Sequence, residues 1–148
     1  MIKMLNEKTI EIIKSTVPVL QENGVALTTL FYKNMFENNP EVRKFFDLSN
    51  QANGSQPKAL AKAIVAYAKN IDKLENLGSA VERIAQKHTS LKILPEHYPI
   101  VGHNLIVTIK ELLNLDDDSE IIKAWVEAYG LLATILIDRE SEIYTENK

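Results

Sequence analysis

Val81-Glu82-Arg83-Ile84-Ala85-Gln86-Lys87-His88 sets apolar side chains at positions 81, 84 and 85 and a histidine at 88. That is the i, i+3, i+4, i+7 spacing of one helical face, which a strand, alternating every second residue, cannot present. The same period runs outward in both directions. Upstream, Ile10, Ile13, Val17 and Leu20 form a stripe that Asn23-Gly24 is expected to stop, with a bend at Pro18, whose ring removes a backbone hydrogen bond. Leu27, Leu30, Phe31 and Met35 predict a second helix ending before Pro40, and Glu41 to Phe46 a short third piece. Ser49-Asn50-Gln51-Ala52-Asn53-Gly54 is a loop by composition. Ser55 has the chemistry of a helix cap, Pro57 fits a first turn, and Leu60, Ile64 and Ala68 carry that helix to about Ile71. Downstream, the helix of His88 ends near Leu91, and Pro95 and Pro99 flank the start of one bearing Val101, Leu105, Ile109 and Leu112. After the acidic run Asp116-Asp117-Asp118, which reads as a solvated loop, a last long helix spans about Ser119 to Tyr144. Seven to eight helices with short connections predict an all-α fold in one domain over residues 1–148.

The composition suits such a domain. Of 148 residues, 45% are apolar and 25% charged, ordinary values for one core. A net charge of -3 favours neither nucleic acid nor anionic membrane as partner. There is no cysteine, which excludes disulfides, thiolate nucleophiles, iron–sulfur ligation and thioether-linked haem. The N-terminus holds no apolar stretch of signal-peptide length. Leu131 to Ile137, the longest near-apolar run, falls far short of the roughly 18–20 residues that span a bilayer. A cytoplasmic protein without a membrane span is the expectation.

A few polar side chains stand where apolar ones belong. His88 closes an apolar face, and an imidazole there either hydrogen-bonds a carbonyl in the core or ligates something large and apolar. The three histidines form no i, i+4 pair on one helix, so no dedicated zinc site is expected; His97 and His103 read as solvent-edge residues without a role. Glu140 has Leu136 and Ile137 before it and Ile143 and Tyr144 after it. Its carboxylate is either buried with a partner, for which Tyr98 is a candidate, or at a border that reaches water. Tyr32, among Thr28, Thr29, Met35 and Phe36, either packs its ring with the hydroxyl toward water or a carbonyl, or aims a donor at a ligand. Gln56, before Pro57, is open in the same way. Periodicity goes no further than a helical domain and does not reach a cofactor.

The order of particular segments goes further. Phe31-Tyr32-Lys33, Asn39-Pro40-Glu41-Val42-Arg43-Lys44-Phe45-Phe46-Asp47 and Gln56-Pro57-Lys58-Ala59-Leu60 come first. Ile84-Ala85-Gln86-Lys87-His88, His97-Tyr98-Pro99-Ile100-Val101-Gly102, Ala124-Trp125, Ala128-Tyr129-Gly130 and Arg139-Glu140-Ser141-Glu142-Ile143-Tyr144 follow. Together, and over essentially the whole chain, they resemble the globin domain of bacterial flavohaemoglobins and the Vitreoscilla-type single-domain haemoglobins. The resemblance implies a globin fold around one non-covalent haem b whose iron is ligated by His88. It implies that Lys87 tunes the haem, that Phe46 wedges against the porphyrin, and that Tyr32, Gln56 and Leu60 line the distal pocket. By the same resemblance Tyr98 and Glu140 hydrogen-bond around the proximal histidine, Val101 and Tyr129 lie near the haem, and Tyr32, Tyr98 and Glu140 are the catalytic residues. The N-terminus looks a few residues longer than the family's and the Asn114 to Glu120 loop slightly extended, both away from the implied pocket.

In function, the resemblance implies binding of dioxygen, nitric oxide and carbon monoxide, with nitric oxide detoxified to nitrate. The alternative is oxygen transport to respiratory or oxygenase partners without turnover; from another class comes a haem-free helical interaction module. Flavohaemoglobins continue into a flavin- and nicotinamide-binding reductase, whereas this sequence stops at Lys148 and has no G-x-G-x-x-G loop. The expectation is therefore a globin domain without a reductase domain, served by a flavin-dependent reductase in trans. A homodimer is expected by resemblance alone.

Overall fold

Asn6 starts the first helix, its side-chain oxygen accepting the Thr9 backbone N–H at 2.8 Å. The computed structural model describes residues 5–46 and 54–146, and residues 49–53 of the expected loop lie outside them. Among the described residues the α-helices are α1 (Glu7–Ser15), α2 (Val17–Asn38), α3 (Ser55–Lys69), α4 (Gly78–Ser90), α5 (Tyr98–Leu113) and α6 (Glu120–Glu146). Short 3₁₀ turns at Pro40–Phe45, Leu74–Leu77 and Pro95–His97 connect them. The fold is all-α, as the spacing predicts.

Two boundaries differ from expectation. The chain breaks at Thr16, not at Asn23-Gly24, and α2 runs on through Gly24. Pro18 is the second residue of α2, where its missing N–H has no helical partner to lose, so it opens a helix instead of bending one. Thr16 secures the break: its hydroxyl donates to the Ile13 carbonyl at 2.6 Å and accepts the Trp125 indole N–H at 3.3 Å. Gly24 is buried because α2 meets α3 there; a Cβ at position 24 would lie 3.2 Å from that of Ala61. Gly54, at φ 80°, is the N-cap of α3, which makes Ser55 the first helical residue and not the cap.

Helix α2 packs on α3 and α5, α4 packs on α6, and α1 and α5 also lie against α6. The main core joins Ile13, Leu27, Phe31, Met35, Tyr67, Ile109, Trp125 and Ala128, each large apolar side chain contributing about 1.5–3 kcal/mol by burial. A smaller cluster, Ala85, Tyr98, Leu136 and Ile143, fills the space between α4, the start of α5 and the second half of α6. Buried polar groups are matched: Asn104, 0% exposed, donates to the Ile100 carbonyl and to Asn39 and accepts from Asn38. No helix among the described residues is long and apolar enough to cross a membrane.

Candidate functional site

His88 stands three residues before the end cap of α4, against the smaller cluster. Its helix closes by two bonds: the Ile93 N–H donates to the His88 carbonyl at 3.0 Å and the Lys92 N–H to the Thr89 carbonyl at 3.0 Å. That is a Schellman arrangement, usually completed by a left-handed glycine. Here Lys92 takes the left-handed position, at φ 63°.

The ring of His88 meets two side chains from distant helices. Its Nδ1 lies 3.0 Å from Oε2 of Glu140 and 3.1 Å from the hydroxyl of Tyr98. The Tyr98 hydroxyl is 2.8 Å from each Glu140 oxygen. Glu140 is 3% exposed, and a carboxylate can only accept. Tyr98 therefore donates to Glu140, and Nδ1 donates to the same carboxylate. Burial above all, then the hydrogen bond to Glu140 and its charge, pushes the Tyr98 phenol far above its usual range, so it keeps its proton. The arrangement commits the Nδ1 proton to Glu140 and leaves Nε2 as the ring nitrogen available to a ligand. That atom takes no hydrogen bond from the described residues, and the side chain is 28% exposed.

Tyr32 forms a second group. Its ring packs against Phe31, Phe36 and Phe46 with centroids 5.2, 5.8 and 5.4 Å away. It is 6% exposed, and burial pushes its phenol well above the usual range. Its hydroxyl has no hydrogen-bond partner among the described residues. Gln56 and Leu60, both half-buried, lie one turn apart on the same face of α3.

The other candidates fall between or outside these groups. Tyr129 donates its hydroxyl to the Tyr98 carbonyl at 2.8 Å and so belongs with His88. Its ring requires Gly102, since a Cβ there would come 2.6 Å from Cε2. Val101 is half-buried against the main core, and Lys87 is exposed, with no ion pair to any described residue. His97, which the sequence leaves without a role, stacks edge-on against Phe45 with centroids 4.8 Å apart and accepts the Leu94 N–H at 2.9 Å; His103 is exposed. Two residues escape sequence reasoning. Arg139 clamps α6 to α4 through Glu82, at 2.7 Å, and Tyr144 donates to the Ile93 carbonyl at 2.6 Å. The available signal is their spacing from Glu140, one residue before it and four after.

The sequence profile of the globin family matches residues 29–136, and the chain belongs to the globin family. It is 52% identical over 145 residues to a flavohemoprotein of Oceanobacillus iheyensis, covering 98% of this chain and 36% of that protein. The chain thus spans about a third of the length of the curated relatives it matches, their globin part. Among solved structures it is similar to a bacterial globin from Campylobacter jejuni, with a TM-score of 0.89 and 48% identity, covering 95% of this chain and 99% of that one. It is also similar to a flavohemoglobin from Malassezia yamatoensis with bound FAD and heme, with a TM-score of 0.88 and 32% identity over 97% of this chain and 38% of that one.

These relatives imply a haem, and the residues present fit one. A neutral imidazole with its Nδ1 proton committed is the donor form that iron takes. Phe46, Leu60, Val101 and Tyr129 are apolar or aromatic side chains that the protein itself covers only in part, as walls against a flat apolar ring must be.

Proposed function

We propose that the chain is a single globin domain that binds one non-covalent haem b through Nε2 of His88, takes up dioxygen, nitric oxide and carbon monoxide, and turns nitric oxide over to nitrate. The observation that carries this reading is the pairing of the His88 Nδ1 with a buried carboxylate, which leaves Nε2 alone to ligate. When bound, the haem supplies an iron site for a diatomic gas and the one-electron chemistry by which nitric oxide, dioxygen and one electron give nitrate.

The chain's own residues prepare that site in two ways. Glu140, accepting from Nδ1, makes the imidazole a stronger donor at Nε2, and Tyr98 holds the carboxylate in place while adding no charge. That donation favours oxygen activation over storage. Tyr32 supplies an uncommitted hydroxyl in an apolar setting. A donor there, bonded to a ligand that carries partial negative charge, is worth about 1.5–3 kcal/mol. Gln56 and Leu60 narrow the same side. The electron comes from a flavin-dependent reductase.

His88→Ala tests the ligand. The variant is expected to lose most of its haem, or to hold it only with added imidazole, and an unchanged five-coordinate ferrous spectrum would contradict the assignment. Nitric oxide consumption tests the reaction. The 148-residue chain with NADH should give about one nitrate per haem and stop, and a competent flavin reductase should restore cycling. Sustained turnover with NADH alone would place the electron source within this chain.

A further inference from the structure

Tyr144 lies four residues past Glu140 on α6, and the proposed chemistry gives it no task. Its hydroxyl donates to the Ile93 carbonyl at 2.6 Å. The Ile93 N–H in turn donates to the carbonyl of His88 at 3.0 Å. One residue of backbone therefore separates Tyr144 from the histidine whose ring Glu140 holds. Two side chains from neighbouring turns of α6 converge on His88, one on its ring and the other on the turn that ends its helix.

That turn has reason to need holding. Lys92 sits in left-handed backbone at φ 63°, which crowds the Cβ of any residue but glycine. Its side chain is exposed and anchors nothing. Ile93, Pro95, Ile137, Glu140 and Tyr144 border a cavity of about 220 Å³, so close packing alone does not confine the turn. Tyr144 is half-buried, and burial first, then the charge of Glu140, keeps its phenol protonated and able to donate.

We infer that Tyr144 is a positioning residue for His88: its bond to Ile93 fixes the Leu91–Ile93 turn and thereby the tilt at which the imidazole presents Nε2. The inference rests on the reading of His88 as the iron ligand. A passive staple between helix ends would hold the turn without affecting the ring.

Tyr144→Phe, in the haem-loaded full chain, removes the hydroxyl and keeps the ring. Amide hydrogen exchange at Leu91, Lys92 and Ile93 should then quicken about five-fold or more. The iron–histidine stretching band of the ferrous protein, read by resonance Raman, should broaden and move down, by less than in Glu140→Gln. Faster exchange with an unmoved band would leave only a staple and overturn the inference, and unchanged exchange would overturn it at the first step. The ligand reading fails differently: the band would be missing from the unsubstituted protein or would survive His88→Ala, and the inference would fall with it.

Discussion

The hydroxyl of Tyr98 stands 2.8 Å from both carboxylate oxygens of Glu140, across 42 residues of sequence. Because Tyr98 spends its only proton on the carboxylate, Nδ1 of His88, 3.0 Å from the same group, has to be a donor. The pair fixes a proton on the histidine's Nδ1 without touching Nε2. Glu140→Gln keeps the shape and removes the charge, so the iron–histidine stretching frequency should fall. Tyr98→Phe should lower it less, since the direct contact between His88 and Glu140 survives. Equal frequencies in all three proteins would reduce Glu140 to a buried structural residue.

On the other side, Tyr32→Phe isolates the hydroxyl from the ring packing that Phe31, Phe36 and Phe46 provide. Dioxygen dissociation should accelerate about ten-fold or more. Carbon monoxide dissociation should change far less, because bound carbon monoxide carries little negative charge to reward a donor. Stopped-flow rates that rise together for both gases would indicate a steric change instead.

Alkali should unfold the protein in a way its tyrosines dictate. Burial raises the phenols of Tyr32, Tyr67, Tyr98 and Tyr129 above the ordinary 10.0. Below pH 10 all four are neutral whether folded or not, and their contribution is complete. Above it the unfolded chain releases protons that the folded chain retains, so stability falls as pH rises, by at most about 1.4 kcal/mol per pH unit for each tyrosine. Urea unfolding at pH 8, 10 and 11 measures that slope, and Tyr67→Phe should flatten it. A flat profile to pH 11 would contradict the account.

Two glycines separate packing from propensity. Gly102→Ala puts a methyl 2.6 Å from the ring of Tyr129; the ring has to move, and its bond to the Tyr98 carbonyl goes with it. A loss of about 1–3 kcal/mol in thermal or denaturant unfolding is expected. Gly130→Ala meets nothing within 4 Å on the exposed face of α6 and should stabilise by about 0.5–1 kcal/mol. A reversed order would mean that the Gly102 contact relaxes freely.

The contrast between those positions also marks what a sequence can disclose. The helices around Val81 to His88 and from Val101 to Leu112 are legible because each buries one face at a fixed period. Asn23-Gly24 misleads because a glycine chosen for a close crossing looks locally like one chosen to stop a helix. The end of the His88 helix near Leu91 is legible, but the left-handed geometry that closes it is not, a lysine standing where glycine is usual. Glu140 is visible as an oddity, but its burial depends on partners 42 and 52 residues away, which no local pattern contains. The link from Tyr144 to Ile93 is equally non-local, and the backbone atom that accepts it leaves no trace in residue identity.

Gly24 has one more consequence. Helix α2 carries Tyr32 eight residues beyond it, and Leu60 precedes Ala61 on α3. With no methyl on Gly24 and a single methyl on Ala61, these two helices approach as nearly as backbones allow. The missing methyl thus works as a spacer of zero thickness between the two helices that carry Tyr32 and Leu60. Thickening the spacer would press these two helices apart while leaving the packing around Glu140, between other helices, alone. In the proposed haem site, the room beside Tyr32 and the donor strength of His88 are then adjustable separately, by residues that never meet.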